Sequence, residues 1–180
     1  MLNLAFRYTP DIAFAICMQA FAGLRIGEVL NVRQEISPLG TSLMMTQIDG
    51  RTVRIEIDLT KELPMRSDGV ICGRIKKERR QSVYPPFLNA FMVAYDFHRK
   101  FLSVRDFEKD YCPMFINKNG KALTYDNYRA KFKNLIENHL RPYLLNSDDA
   151  ECRIYGQLLY ENNLGTHALR HWFTTQLVLY

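Results

Sequence analysis

The sequence predicts an α+β fold, mostly α-helical, with one small antiparallel β-sheet lying between helices in chain order. Three observations predict it. Apolar residues recur at helical spacing over residues 9–22, and again over 87–102 and 124–136. Residues 43–58 instead surround a central Asp49-Gly50 pair, and the stretch after that pair alternates apolar and polar, the pattern of a hairpin. No segment repeats along the chain, which removes solenoids and propellers.

The elements follow in order. Thr9 suits a helix N-cap and Pro10 the first helical position, where a missing amide proton is no loss. Ile12, Ala13, Ile16, Cys17, Ala20 and Phe21 then form a stripe, and Gly23 stops the helix. A second, short helix is expected over 26–32 with Ile26, Val29 and Leu30 inward. In the hairpin, the period of two over 52–58 implies one buried face and one wet face. Residues 70–72 and 82–84 are further strand candidates with a basic turn between them, and Pro85-Pro86 ends the last. Helix returns over 87–102. An extended piece follows at 112–116, then a turn at 117–120 and a helix capped by Thr124. Another helix starts from Ser147-Asp148-Asp149 and runs through Ile154, Leu158 and Leu159. Residues 162–165 break it, and Thr166 caps a last helix from His167 onward.

Length and composition bound the function classes. The chain has 180 residues, 47% hydrophobic and 24% charged, values of an ordinary globular domain, so residues 1–180 are read as one domain. Cys17, Cys72, Cys112 and Cys152 contain no CxxC pair, which removes zinc-ribbon and thioredoxin-like chemistry. With no leader-like N-terminus and no apolar run of the ~18 residues a span needs, a cytoplasmic protein with reduced, mostly buried thiols and no membrane partner is expected. The net charge is +5. Its one dense cluster is residues 74–80, Arg-Ile-Lys-Lys-Glu-Arg-Arg, which suits a nucleic-acid backbone and equally a solvated turn.

Two short segments and that cluster are the candidates for chemistry. Arg25 follows a helix stop, and Glu28, one turn later, lies on the same side and can orient it; alone, this is also the pattern of a surface ion pair. His167 and Arg170 share a face at a helix start, where an arginine opposes the helix dipole unless an anion occupies the site. His167 and His171 have metal-ligand spacing, but Ala168 stands where a zinc hydrolase needs its Glu, and no third ligand is near. His171 is read as a buried structural histidine, and His98 and His139 as ordinary helix residues. There is no phosphate-cradling glycine loop and no GxSxG elbow, which leaves nucleotide-triphosphate and α/β-hydrolase chemistry without support.

Taken together, these pieces resemble the tyrosine recombinases, or phage-type integrases. AGLRIGEVLNVR, residues 22–33, is similar to that family's first box, which places its arginine on Arg25. GTHALRHWFTTQLV, residues 165–178, is similar to the H-x-x-R-H box, which places His167 and the second arginine, Arg170. The family's lysine sits in a hairpin turn before a strand ending in proline. Lys77 fits best, eight residues before Pro85, with Lys76 the close alternative.

The resemblance implies breaking and rejoining of double-stranded DNA through a 3′-phosphotyrosine, without metal or other cofactor. Arg25 and Arg170 would clamp the phosphate, Lys77 would protonate the leaving oxygen and His167 would assist. Glu28 would support Arg25, while Lys76, Arg79 and Arg80 would contact DNA. It also implies a tetramer on DNA and a mobile-element setting in a bacterial or phage cytoplasm. The family's attacking tyrosine lies beyond a further helix, whereas Tyr180 is only ten residues past Arg170. The expectation is therefore an inactive piece of a catalytic domain, without the N-terminal DNA-binding domain or the C-terminal tail. Three alternatives stand beside it: a non-cutting DNA-binding accessory protein, a type IB topoisomerase and a metal-dependent hydrolase using His167 and His171.

Overall fold

A computed structural model of the chain describes residues 1–61, 73–107, 109–162 and 164–179. The strand candidate at 70–72, Cys72 and Tyr180 lie outside these residues. The helices are α1 (Leu2–Tyr8), α2 (Pro10–Ala22), α3 (Ile26–Leu30), α4 (Leu88–Ser103), α5 (Tyr125–Leu135), α6 (Arg141–Leu145), α7 (Ala150–Glu161) and α8 (His167–Leu179). Between α3 and α4 lies an antiparallel sheet of β1 (Leu43–Ile48), β2 (Arg51–Asp58) and β3 (Arg80–Ser82), with β2 central. The predicted class holds.

Helix α2 is the axis of the core. Every residue from Ile12 to Ala22 is buried, so the stripe read from the sequence is in fact the whole circumference, as expected of a helix covered on all sides. Phe14 meets Phe91 edge-on at 5.1 Å between ring centroids and lies near Tyr95 and Phe115, which ties α4 and the extended piece at 112–116 to α2. Thr9 precedes the helix but does not cap it with its side chain. Its hydroxyl donates to the Ala5 carbonyl, because α1, which had no sequence signal, occupies the preceding turn.

The hairpin turns through Asp49 and Gly50, both at positive φ, as a type I′ turn requires. Ile55 and Ile57 are buried, while Val53 and Ile48 are exposed. The expected wet and dry faces therefore hold only for the inner half of the hairpin; the tip stands away from the core. β3 pairs two residues earlier than predicted, at 80–82, with Val83 closing the ladder onto the Ile55 carbonyl.

The helix capped by Thr124 runs past its predicted end. It continues as one π-type turn over Ile136–Leu140 into α6, since Pro142 lacks the amide that a regular ladder would use. Of the thiols, Cys17 and Cys112 are buried and Cys152 is partly exposed; all three are free. Among the described residues no helix is long and apolar enough to cross a membrane.

Candidate active site

The site begins at the turn between α2 and α3. Gly23 takes the left-handed conformation, φ +65°, that lets α2 end abruptly. Arg25 follows as the N-cap of α3. Its amide donates to Glu28 Oε2 at 2.9 Å and its guanidinium to Glu28 Oε1 at 3.2 Å. The Glu28 side chain is fully buried, whereas that of Arg25 is 33% exposed. A surface pair would expose both partners, so this carboxylate holds the arginine rather than decorating it.

Helix α8 docks on the same turn. A Cβ on Gly23 would lie 2.3 Å from the Phe173 ring, so only glycine permits this approach. Arg170 Nη1 donates to the Gly23 carbonyl at 2.7 Å, across 147 positions of sequence. One short turn therefore fixes both arginines of the two boxes.

The basic segment supplies the third wall. Gly73 and Arg74 run so close to α3 that a Cβ on Gly27 would stand 2.9 Å from the Arg74 carbonyl oxygen. Asn31 Nδ2 bridges the Gly27 and Gly73 carbonyls at 2.6 and 3.2 Å. These parts enclose a cavity of about 280 Å³ lined by Arg25, Arg74, Lys76, His167 and Arg170, with Gln19, Tyr125 and Thr166. Among the described residues, none that lines it is acidic.

Of the residues expected from the sequence, Arg25, Lys76, His167 and Arg170 line this cavity, and Glu28 lies behind Arg25. Lys77 is exposed and does not line it. Arg80 is exposed on β3. Arg79 turns away from solvent and grips Glu28 with both Nη atoms, at 2.8 and 3.2 Å.

Sequence reasoning missed Arg74, Gln19 and Tyr125 as lining groups. Arg74 stood in the basic cluster, whereas Gln19 carried no signal inside a buried helix. His171 is exposed rather than buried, since the helix presents Leu169 and Phe173 to the core instead. His98 is no ordinary helix residue: it is fully buried, with Nε2 on the Met114 carbonyl at 2.8 Å. His139 stacks on Tyr8 at 4.0 Å. Among the described residues, no three His, Cys, Asp or Glu side chains converge as a metal site needs.

The electrostatics favour a bound anion. Burial pushes the Glu28 carboxyl up, but the Arg79 hydrogen bond, the Arg25 amide and both guanidinium charges outweigh it and hold the group below its ordinary value of 4.5. Partial burial, then the charges of Arg25 and Arg79, lower the pKa of Arg170. Crowded cations around an open cavity are relieved by an oxyanion, and the guanidinium fork is the shape that receives two of its oxygens.

No protein-family model matches the chain, and no curated protein matches it. Solved structures do. The chain is similar to the Tn1549 transposon integrase in complex with circular intermediate DNA. The TM-score is 0.53 at 17% identity, covering 99% of this chain and 49% of that one. It is also similar to a Tyr-to-Phe variant of the same integrase in complex with transposon right end DNA. There the TM-score is 0.55 at 18% identity, covering 99% of this chain and 50% of that one. The chain thus spans about half the length of the structures it resembles, and it shares the fold of the integrase catalytic domain.

Proposed function

We propose that the chain is the core of a tyrosine-recombinase-type integrase catalytic domain, and that its cavity grips one backbone phosphate of double-stranded DNA. The observation that carries this reading is the meeting of Arg25, Lys76, His167 and Arg170, from three distant stretches of sequence, around one cavity with no acidic side chain among its described lining residues.

In the proposed reaction a tyrosine hydroxyl attacks the scissile phosphorus. A 3′-phosphotyrosine bond forms as the bond to the 5′-oxygen breaks. Arg25 and Arg170 neutralise the non-bridging oxygens, whose charge is greatest in the transition state. Lys76, rather than its neighbour Lys77, is the better-placed proton donor to the departing 5′-oxygen, because of the two only Lys76 lines the cavity. His167 hydrogen-bonds the phosphate or takes the tyrosine's proton. Attack by a 5′-hydroxyl of another strand reverses the step. Assembly as a tetramer on DNA, and a role in moving a genetic element, belong to the same proposal.

Tyr125 is the one tyrosine that lines the cavity among the described residues, and its ring sits against Gly73 at the start of α5. It matches no position of the family's tyrosine. The 180-residue chain is therefore proposed to bind DNA without cutting it, which is also how a non-cutting accessory protein would behave. Incubation with a nicked duplex that traps covalent intermediates tests this. Binding without a covalent DNA–protein band is expected. A covalent band abolished by Tyr125→Phe would make Tyr125 the nucleophile and overturn the assignment, and failure to bind duplex DNA would overturn the reading itself.

A further inference from the structure

We infer that Arg79 is a positioning residue: seated on Glu28, it clasps the segment that carries Lys76 onto helix α3, the helix that begins at Arg25. This rests on the phosphate-gripping reading above and deepens it, since the clasp fixes the distance between the proposed proton donor and the first arginine of the clamp.

The clasp has two ends. At one, the backbone of Gly73 and Arg74 lies against Gly27, and Asn31 Nδ2 holds the Gly73 carbonyl. At the other, both Nη atoms of Arg79 pair with the buried Glu28 carboxylate. Lys76 lies between the two ends. Arg79 has little left to offer a nucleic acid: Nε donates to Gln81 Oε1 at 3.0 Å, and Nη1 also donates to the Lys77 carbonyl at 3.1 Å. Its own carbonyl accepts from the Leu59 amide at 2.9 Å, so the same residue anchors the segment to the sheet.

Glu28 is thus shared by two guanidinium groups 54 positions apart in sequence, Arg25 and Arg79, and its charge separates theirs. A lysine at position 79 would keep the charge but not the two-pronged contact, and that separates positioning from charge alone.

Hydrogen exchange of the free 180-residue chain tests the clasp, alongside the methyl signal of reductively dimethylated Lys76, assigned with Lys76→Arg. In Arg79→Lys, the Leu59 amide, which donates to the carbonyl of residue 79, is expected to exchange about tenfold faster with α2 and α4 unchanged. The shift of the Lys76 signal on adding a short duplex DNA is expected to be lost. Wild-type exchange at Leu59, or an unchanged Lys76 response to duplex, would overturn the inference. If Arg79→Lys does not fold, Glu28→Gln breaks the same contact from the other side: faster exchange at Leu59 is expected and an unchanged rate overturns it. Should the wild-type Lys76 signal ignore DNA, the phosphate-gripping reading fails. The exchange measurement still decides the clasp, with acceleration supporting it and its absence overturning it.

Discussion

Arg25 and Arg33 stand eight residues apart in the same short segment, and the fold uses them in opposite ways. Arg33 is fully buried. Its Nε donates to the Gly40 carbonyl at 3.0 Å and its Nη2 to Asp58 at 3.2 Å, so it joins the loop after α3 to the end of β2. Arg25 keeps a third of its side chain open on a cationic cavity, steadied from behind by Glu28. The contrast teaches that an arginine's role is read from what its donors already hold. Arg33 gives Nε and Nη2, and Arg79 gives Nε and both Nη, to protein acceptors, while Arg25 and Arg170 each give the protein one Nη and line the cavity.

The largest effect that sharpens this contrast is on stability. Arg33→Met takes the donor from one Asp58 oxygen and from the Gly40 carbonyl, while Thr60 keeps the other Asp58 oxygen, and is expected to cost about 3 kcal/mol by urea unfolding. Arg25→Ala, at a partly exposed position, is expected to cost no more than about 1 kcal/mol while weakening duplex binding. Equal losses from the two would erase the distinction.

The histidines divide in the same way. His167 opens on the cavity, whereas burial, only partly offset by the Met114 carbonyl, pushes His98 down from 6.5 to about 4. The unfolded ring takes a proton near 6.5 and the folded ring does not, so this contribution is whole above pH 6.5 and is lost as pH falls towards about 4. The loss amounts to about 3 kcal/mol. Unfolding measured across that range checks it, and His98→Gln is expected to flatten the response.

A smaller effect tests how α8 reaches the cavity. Gly23→Ala places a methyl group 2.3 Å from the edge of the Phe173 ring at a left-handed backbone position. It is expected to cost about 1–3 kcal/mol and to loosen Arg170, which would appear as weaker duplex binding together with lower stability. Weaker binding with full stability would mean that α8 is held from elsewhere.

How much of this was legible in the sequence depended on range. Pro10, Gly23 and Asp49-Gly50 act through their own backbone conformation and Thr124 through a side-chain cap three residues away, and each marks a boundary that the structure has. Helix α1 was invisible because its stability comes from packing on α2 and not from a cap. The run of helix through Pro142 defied the usual reading of proline, because one π-type turn absorbed it. In the site, Arg25 and Glu28 were legible as neighbours on one helix. The Arg79 grip on Glu28 was not, because it spans 51 positions and depends on where the sheet is placed. That Lys76 lines the cavity and Lys77 does not is a matter of register in one turn that no count from Pro85 could decide.

The central claim is that Arg25 and Arg170 grip one and the same phosphate. The salt dependence of duplex binding by the 180-residue chain, compared with Arg25→Ala, Arg170→Ala and the double variant, tests it most directly. Each phosphate neutralised contributes about 0.9 to the slope of log affinity against log salt. The account predicts that the double variant loses about one phosphate's worth of slope, no more than the larger single loss. A double variant that loses about twice that, or a slope untouched by either substitution, would contradict it.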